Sequence, residues 1–180
     1  MMLMLDHLAI SAETLEAGAA WVEMALGVPL AGGGQHSHMG THNRLLSLGD
    51  LYLEVIATNP KAPKPAWPRW FDLDNFRGAP RLTNWICRTD NLDAALAIAP
   101  PCTGTATDLQ RGDYRWRFAV PATGKLPFDD RFPALIEWQG ELHPAKALRD
   151  HGIRLTGLEI THPRAPPLQA ALQGPADPRV

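Results

Sequence analysis

One pattern of residues occurs twice along this chain. A duplicated unit restricts the fold more than any other feature, because both copies must fit one shared core. The first copy runs Leu3-Met4-Leu5-Asp6-His7-Leu8-Ala9-Ile10, a polar break, then Leu15-Glu16. The second runs Leu82-Thr83-Asn84-Trp85-Ile86-Cys87, a polar break at Arg88-Thr89-Asp90-Asn91, then Leu92-Asp93-Ala94-Ala95. Each is followed by an apolar strand with a carboxylate in its middle, Leu51-Tyr52-Leu53-Glu54-Val55-Ile56 and Ala134-Leu135-Ile136-Glu137-Trp138. Asn84 follows His7 by 77 residues and Glu137 follows Glu54 by 83. Ligand-type residues at matching places in two copies point to a two-fold site between the halves.

A length of 180 residues suits one domain, or two small modules sharing one core, and 45% hydrophobic residues suffice to build it. The net charge is −2 and the lysines and arginines are scattered, so no nucleic-acid partner is expected. No run approaches the ~18 apolar residues of a membrane span. The start, Met1 to Ile10, has no basic region and carries Asp6 and His7, so it reads as a strand and not as a signal peptide. Cys87 and Cys102 form no CxxC pair and read as two reduced thiols in a cytoplasmic protein.

The first half is expected to hold a strand over 2–10 with Leu3, Leu5, His7 and Ala9 on one face. A helix over about 14–26 follows, with N-cap chemistry at Ser11, Glu13 and Thr14. Its apolar stripe is Leu15, Ala19, Val22 and Leu26, and Gly27 is its left-handed C-cap. Ala31-Gly32-Gly33-Gly34 reads as a loop, and strands over about 43–48 and 51–57 turn at Gly49-Asp50. The second half is expected to hold a strand at 82–88, a helix at about 91–98, and strands at about 105–110, 114–121 and 133–139, with a turn at Arg111-Gly112-Asp113. A further strand is expected at Leu155–Thr161 and a short helix at 166–172. Prolines, 17 in all, mark connectors, and the tail Gln173–Pro178 is expected to fray. The resulting division is a first module at 1–60, a Pro/Trp-rich connector at 61–80, a second module at 81–162 and a Pro-rich tail at 163–180. The class is α+β with mainly antiparallel pairing.

Strand alternation puts Tyr52, Glu54 and Ile56 on one face, while Leu51, Leu53 and Val55 pack on the helices. Glu54 then lies on the concave face of the sheet. The same reading places Glu137 there with Leu135 and Gln139, and turns Ile136 and Trp138 to the helices. An inward carboxylate needs an arginine, a proton or a metal, since burying it unpaired is costly. Two glutamates and a histidine suit a divalent cation with open positions. The same pair suits proton abstraction beside a carbonyl. Taken singly, these residues are ordinary rim or ion-pair residues; only their matching places in the repeat single them out.

These segments, together with Gly40-Thr41-His42-Asn43-Arg44-Leu45 and Leu48-Gly49-Asp50, resemble the glyoxalase-like domain family of the vicinal oxygen chelate superfamily over about residues 2–162. The resemblance implies two βαβββ modules forming a cup-shaped sheet with helices outside. It implies a divalent metal (Zn, Ni, Mn or Fe) held by His7 and Glu54 of the first module and Glu137 of the second, with Glu54 and Glu137 catalytic. Asn84 departs from the pattern, standing where a stronger ligand belongs. The absent second histidine argues against ring cleavage. The resemblance also implies pairing between chains, and so a homodimer.

The histidines at 36, 38 and 42 read first as a polar loop and second as metal or substrate contacts. Arg44 is an anion-binding candidate. Tyr114, Trp116, Phe118 and Val120 share one strand face, and Arg115 and Arg117 the other. If the arginine face is inner it meets an anionic substrate or the glutamates; if the aromatic face is inner the cavity is apolar. Trp67 and Trp70 are either a lid or part of the core. The leading expectation is a metal-dependent lyase or isomerase acting on a small oxygenated substrate, with Asn84, His42, Arg44, Arg115, Arg117 and Trp70 as substrate contacts. The alternatives are a metal-free small-ligand-binding protein like the bleomycin-resistance relatives, or a module whose cup is filled by its own side chains.

Overall fold

The structure, a computed structural model, describes residues 3–172 and 177–180. The first half contains β1 (Met4–Ser11), α1 (Leu15–Leu26), β2 (Ala31–His36), β3 (Thr41–Ser47) and β4 (Tyr52–Thr58). The second contains β5 (Arg81–Arg88), α2 (Leu92–Ile98), β6 (Thr105–Arg111), β7 (Tyr114–Val120), the short α3 (Pro127–Asp130) and β8 (Ala134–Gln139). Two further helices follow, α4 (Pro144–Ala147) and α5 (Ala165–Leu172). The strands form one eight-stranded sheet in the order β2-β3-β4-β1-β5-β8-β7-β6. β1 runs parallel to β4 and β5 parallel to β8; every other neighbouring pair is antiparallel. The sheet is a cup built from two βαβββ units joined at β1 and β5, and its two end strands, β2 and β6, approach each other. No helix among the described residues is long and apolar enough to cross a membrane.

Local chemistry explains the first helix. Thr14 accepts the Ala17 N–H and Gly27 closes α1 with φ 70°. Leu15, Gly18, Ala19 and Val22 form its buried stripe, whereas Leu26 lies towards solvent. In α2, Asn91 caps from below and the Glu137 carboxylate accepts the Leu92 N–H at 2.7 Å, a favourable place for negative charge.

Two apolar layers result. The helix-side core includes Leu5, Leu8, Val55, Trp85, Cys87 and Leu135. The layer inside the cup includes Ala9, Ile56, Ile86, Trp116, Phe118 and Ile136, and it is closed by Trp70, Phe71, Leu73 and Phe76 from the connector. The connector is pinned by Arg69, which bonds Asp74 at 2.6 Å and the Gly40 carbonyl at 3.3 Å, and by the Asp72 N–H on the Gly124 carbonyl.

Four expectations are corrected here. Residues 31–34 are strand β2 and not a loop: glycines have no side chain to alternate, and here they let β2 lie hard against β3, where a Cβ on Gly33 would overlap the Asn43 carbonyl. Leu5 leaves the face of His7, because the register of β1 on β5 slips between them and Asp6 is the bulged residue. Leu155–Thr161 forms no strand among the described residues; Leu155, Leu158 and Ile160 pack on the helix-side core. Of the tail expected to fray, 173–176 lie outside the described residues, but Asp177 and Arg179 are docked, Arg179 making a two-pronged pair with Asp50 at 2.8 and 2.9 Å.

Gly33→Ala should lower stability by about 1–3 kcal/mol, since the obstructing atoms are backbone and cannot swing aside. Urea denaturation beside the wild type measures it, and an unchanged midpoint would show that β2 is free to lift off β3.

Candidate functional site

A continuous chain of polar contacts crosses the inside of the cup, from β6 to the segment after β8. Its centre is the bulge in β1. Asp6 is fully buried, and its Oδ1 lies 2.6 Å from His7 Nδ1. Its Oδ2 accepts from Trp138 Nε1 at 3.1 Å and from His143 Nε2 at 2.9 Å, with Arg88 Nη1 3.6 Å away. Burial alone would raise the Asp6 pKa, but the bonds and charges of His143 and His7 hold the carboxyl well below the usual carboxylate range. An ionised Asp6 can only accept, so the proton of His7 sits on Nδ1 and Nε2 faces the cup. The ring is fixed from below by stacking on Tyr52, centroids 4.3 Å apart. Burial pushes the Tyr52 phenol well above its ordinary value, and it stays neutral.

Glu54 is the next link. Its Oε1 accepts from Asn43 Nδ2 at 2.5 Å. Its Oε2 has no hydrogen bond among the described residues and lies 3.7 Å from His7 Nε2, beyond hydrogen-bond reach. Asn43 is oriented by the Gly34 N–H at 2.8 Å and by Arg111 Nη1 at 3.1 Å, both donating to its Oδ1. Arg111 and Asn43 also approach His36 Nε2, each at 3.4 Å, while His36 Nδ1 meets Thr41 Oγ1 at 3.0 Å. Two donors on Nε2 require a neutral ring, and burial accordingly lowers the His36 pKa to about 4. The remaining wall is aromatic: Trp70, Phe71, Trp116, Phe118 and Trp138. The space left is about 30 Å³, room for one water. Among the described residues the Trp70 indole N–H in this layer has no hydrogen-bond partner, and neither end of the buried Asn84 amide has one; Asn84 lines a separate groove with Asp130 and Leu158–Thr161.

Of the residues expected at the site, His7, Glu54, Asn84 and Trp70 lie on the cup side. Trp70 is buried against His36 and Phe118, so it plugs the cup; Trp67 is exposed and stacks on His38. The other five do not converge. Glu137 lies on the helix side, on the Leu92 N–H and 3.5 Å from Arg117. Arg117 is held by Asp93, and Arg115 is exposed. His42 and Arg44 alternate with the inward Asn43 and Leu45, and His42 lines a groove near the start of α1. The aromatic face of β7 is therefore the inner one.

The register explains the Glu137 correction. Asn84 precedes α2 by the same interval that His7 precedes α1, and the pairs His7–Ile86 and Ala9–Asn84 flank Leu8–Trp85 symmetrically. Ala9 pairs with Glu54, and its counterpart Ile86 pairs with Ala134. Ala134, not Glu137, thus stands at the place matching Glu54, and Glu137 is an odd number of residues further along, on the opposite face. A chelate shared by the two modules would have His7 and Glu54 on one side and only Asn84 and Ala134 on the other. That donor set, beside a guanidinium, does not fit Zn, Ni, Mn or Fe. Among the described residues no group of three or more His, Cys, Asp or Glu is placed to hold a metal ion. Sequence reasoning offered His36 only as the second reading of a polar histidine loop and missed Asp6, Asn43, Arg111 and His143; for Asn43 the signal was its parity relative to Leu45.

Comparison with known proteins agrees with the fold. The profile of the family described as a glyoxalase-like domain matches residues 5–175. No curated protein matches the chain significantly. A hypothetical protein from Staphylococcus aureus is similar at 17% identity and TM-score 0.53, over 78% of this chain and 60% of that one. Methylmalonyl-CoA epimerase from Mycobacterium tuberculosis is similar at 17% identity and TM-score 0.50, over 77% and 89%. A variant of Streptomyces coelicolor methylmalonyl-CoA epimerase in complex with 2-nitronate-propionyl-CoA gives 14% identity and TM-score 0.51, over 79% and 100%.

The neutral His36 has a pH consequence. Its folded pKa is depressed, so the unfolded chain takes up a proton that the folded one refuses, and stability falls as pH drops from about 6.5 to about 4. The contribution is about 3 kcal/mol over that window. Asp6, whose pKa is also depressed in the folded protein, adds to the loss only at the acid end of the window and below it, where the unfolded carboxyl begins to take up a proton. Urea titrations at several pH values should show a flatter profile for His36→Gln than for the wild type; parallel profiles would mean that His36 is protonated in the folded protein.

Proposed function

The chain belongs to the glyoxalase-like domain family, and we propose that it moves a proton on a small oxygenated substrate in the cup, a lyase- or isomerase-type reaction run from Glu54 and not from a metal chelate. The observation that carries this reading is the Glu54 carboxylate. One oxygen is fixed by Asn43, and the other has no hydrogen bond among the described residues and faces His7 Nε2 inside an aromatic enclosure.

In the proposed step Glu54 Oε2 removes a proton from the carbon beside a carbonyl. The C–H electron pair moves to the carbonyl oxygen, and the enolate so formed takes a proton back at carbon or expels a neighbouring group. His7 is the neighbouring proton carrier, and the ionised Asp6 behind it stabilises the imidazolium. A dry, aromatic wall strengthens each of these interactions. Because the cavity holds about one water, the substrate reaches Glu54 only once Trp70 and Phe71 have been lifted with their connector. Epimerisation, the activity named for two of the similar structures, is itself a proton transfer at carbon, which supports the reaction class but not a CoA ester as substrate.

A second reading is a small-ligand-binding protein. The indole N–H of Trp70, without a partner among the described residues, favours it, since it needs a polar partner inside the cup.

In deuterium oxide the wild type should exchange the α-hydrogens of small ketones such as dihydroxyacetone and pyruvate, followed by proton NMR. Glu54→Gln should slow exchange by about 10²-fold or more, and exhaustive chelation should leave the wild-type rate unchanged. Loss of exchange on chelation would restore a metal chelate. Absence of exchange, with ligands still raising the melting temperature, would put the binding reading in its place.

A further inference from the structure

Arg111 comes from the end strand β6 and reaches across to the first module. Its stem lies against Gly34, in the space a Cβ would fill, so β2 is glycine where the arginine passes. Its Nη1 meets only neutral partners, Asn43 Oδ1 and His36 Nε2. It makes no ion pair among the described residues, although it lines the same cavity as Glu54 and His7. A half-buried guanidinium without a carboxylate partner is a poor use of a charge unless an anion arrives. The other charges of the cup do not serve it: Asp6 is satisfied by His7, His143, Trp138 and Arg88, and the amide of Asn43 stands between Glu54 and Arg111.

We infer that the ligand of this cup carries a carboxylate and that Arg111 is the residue that recognises it. The inference rests on the cup being the ligand site, as proposed above. Asn43 bridges Arg111 and Glu54, so guanidinium and base lie one amide group apart. That spacing suits a compact molecule whose carboxylate sits on Arg111 while an adjacent carbonyl and its acidic C–H face Glu54 and His7. The 2-oxo carboxylates have this arrangement. Neutral His36 belongs to the same device: it accepts from Arg111 without adding a competing positive charge. Arg111 also explains how a negative ligand is tolerated beside Glu54.

The test compares pyruvate with pyruvamide, which differ in the carboxylate alone, by thermal shift and calorimetry. The wild type should bind pyruvate about 10-fold or more tighter than pyruvamide. Arg111→Met should abolish that preference and Arg111→Lys should keep part of it, with apo melting temperatures reporting whether each variant is folded. Glu54→Gln should retain pyruvate binding while losing proton exchange. A carboxylate preference that depends on Arg111 but comes with no exchange would sink the proton-transfer reading and leave this inference standing. Equal binding of pyruvate and pyruvamide by the wild type, no binding of either, or undiminished pyruvate binding by Arg111→Met would overturn it.

Discussion

The Asp6 carboxylate is completely buried and nonetheless ionised, and much of the cup is arranged to keep it so. Taking a carboxylate out of water costs several kcal/mol unless its oxygens are fully engaged. Here the engagement comes from three parts of the chain: His7 beside it on β1, Trp138 on β8, and His143 at the start of α4. One carboxylate therefore ties the first strand of one module to the last strand of the other. It also decides the tautomer of His7, and so which nitrogen looks at Glu54. Structure and chemistry share this group, so the bulge that frees Asp6 from the β1–β5 ladder is a feature of the site and not an irregularity of the sheet.

The two modules have the same architecture but divide the work unequally. The first supplies the Glu54 carboxylate, the His7 imidazole and the Asn43 amide that aligns the carboxylate. The second supplies Trp116, Phe118 and Trp138 as wall, Asn84 and Ala134 where ligands would mirror the first module, and Arg111 from its far edge. The asymmetry is a matter of strand parity. On β8 the inward positions are 134, 136 and 138, and all three residues there are apolar or aromatic. The acid of that strand points outward, where it caps α2 and neutralises Arg117.

Much of the fold was legible because its signals are local. Thr14 and Gly27 bound a helix by hydrogen bonding and by a left-handed φ, and both are visible in the sequence. The inward direction of Glu54 followed from Leu51, Leu53 and Val55, three aliphatic residues on the other face. What stayed hidden depends on register and on distant contact. A bulge shifts every later residue of a strand to the other face, and nothing in Leu5-Asp6-His7 announces it. Glu137 looked like the partner of Glu54 because two strands with similar sequences were aligned by their acids; the ladder aligns them through Ala9 and Ile86 instead. Arg111 reads as part of a turn because the near-closure of the sheet, which brings β6 to β2, is a property of the whole cup.

The connector shows how a closed cup is compatible with the proposed reaction. Trp70 and Phe71 are buried, yet the Trp70 indole N–H has no partner among the described residues, so the closed arrangement leaves a polar group uncompensated in the place a ligand would occupy. The connector is held at its ends by polar contacts, Arg69 with Asp74 and Gly40, and Asp72 with Gly124. Water can replace such contacts at moderate cost, whereas the β1–β5 junction beneath is buried on both faces. An opening that admits the proposed substrate would therefore fall on the connector and not on the sheet. For the proposed proton transfer, the sheet would keep Asp6, His7, Asn43 and Glu54 in line while the connector carried the aromatic plug aside.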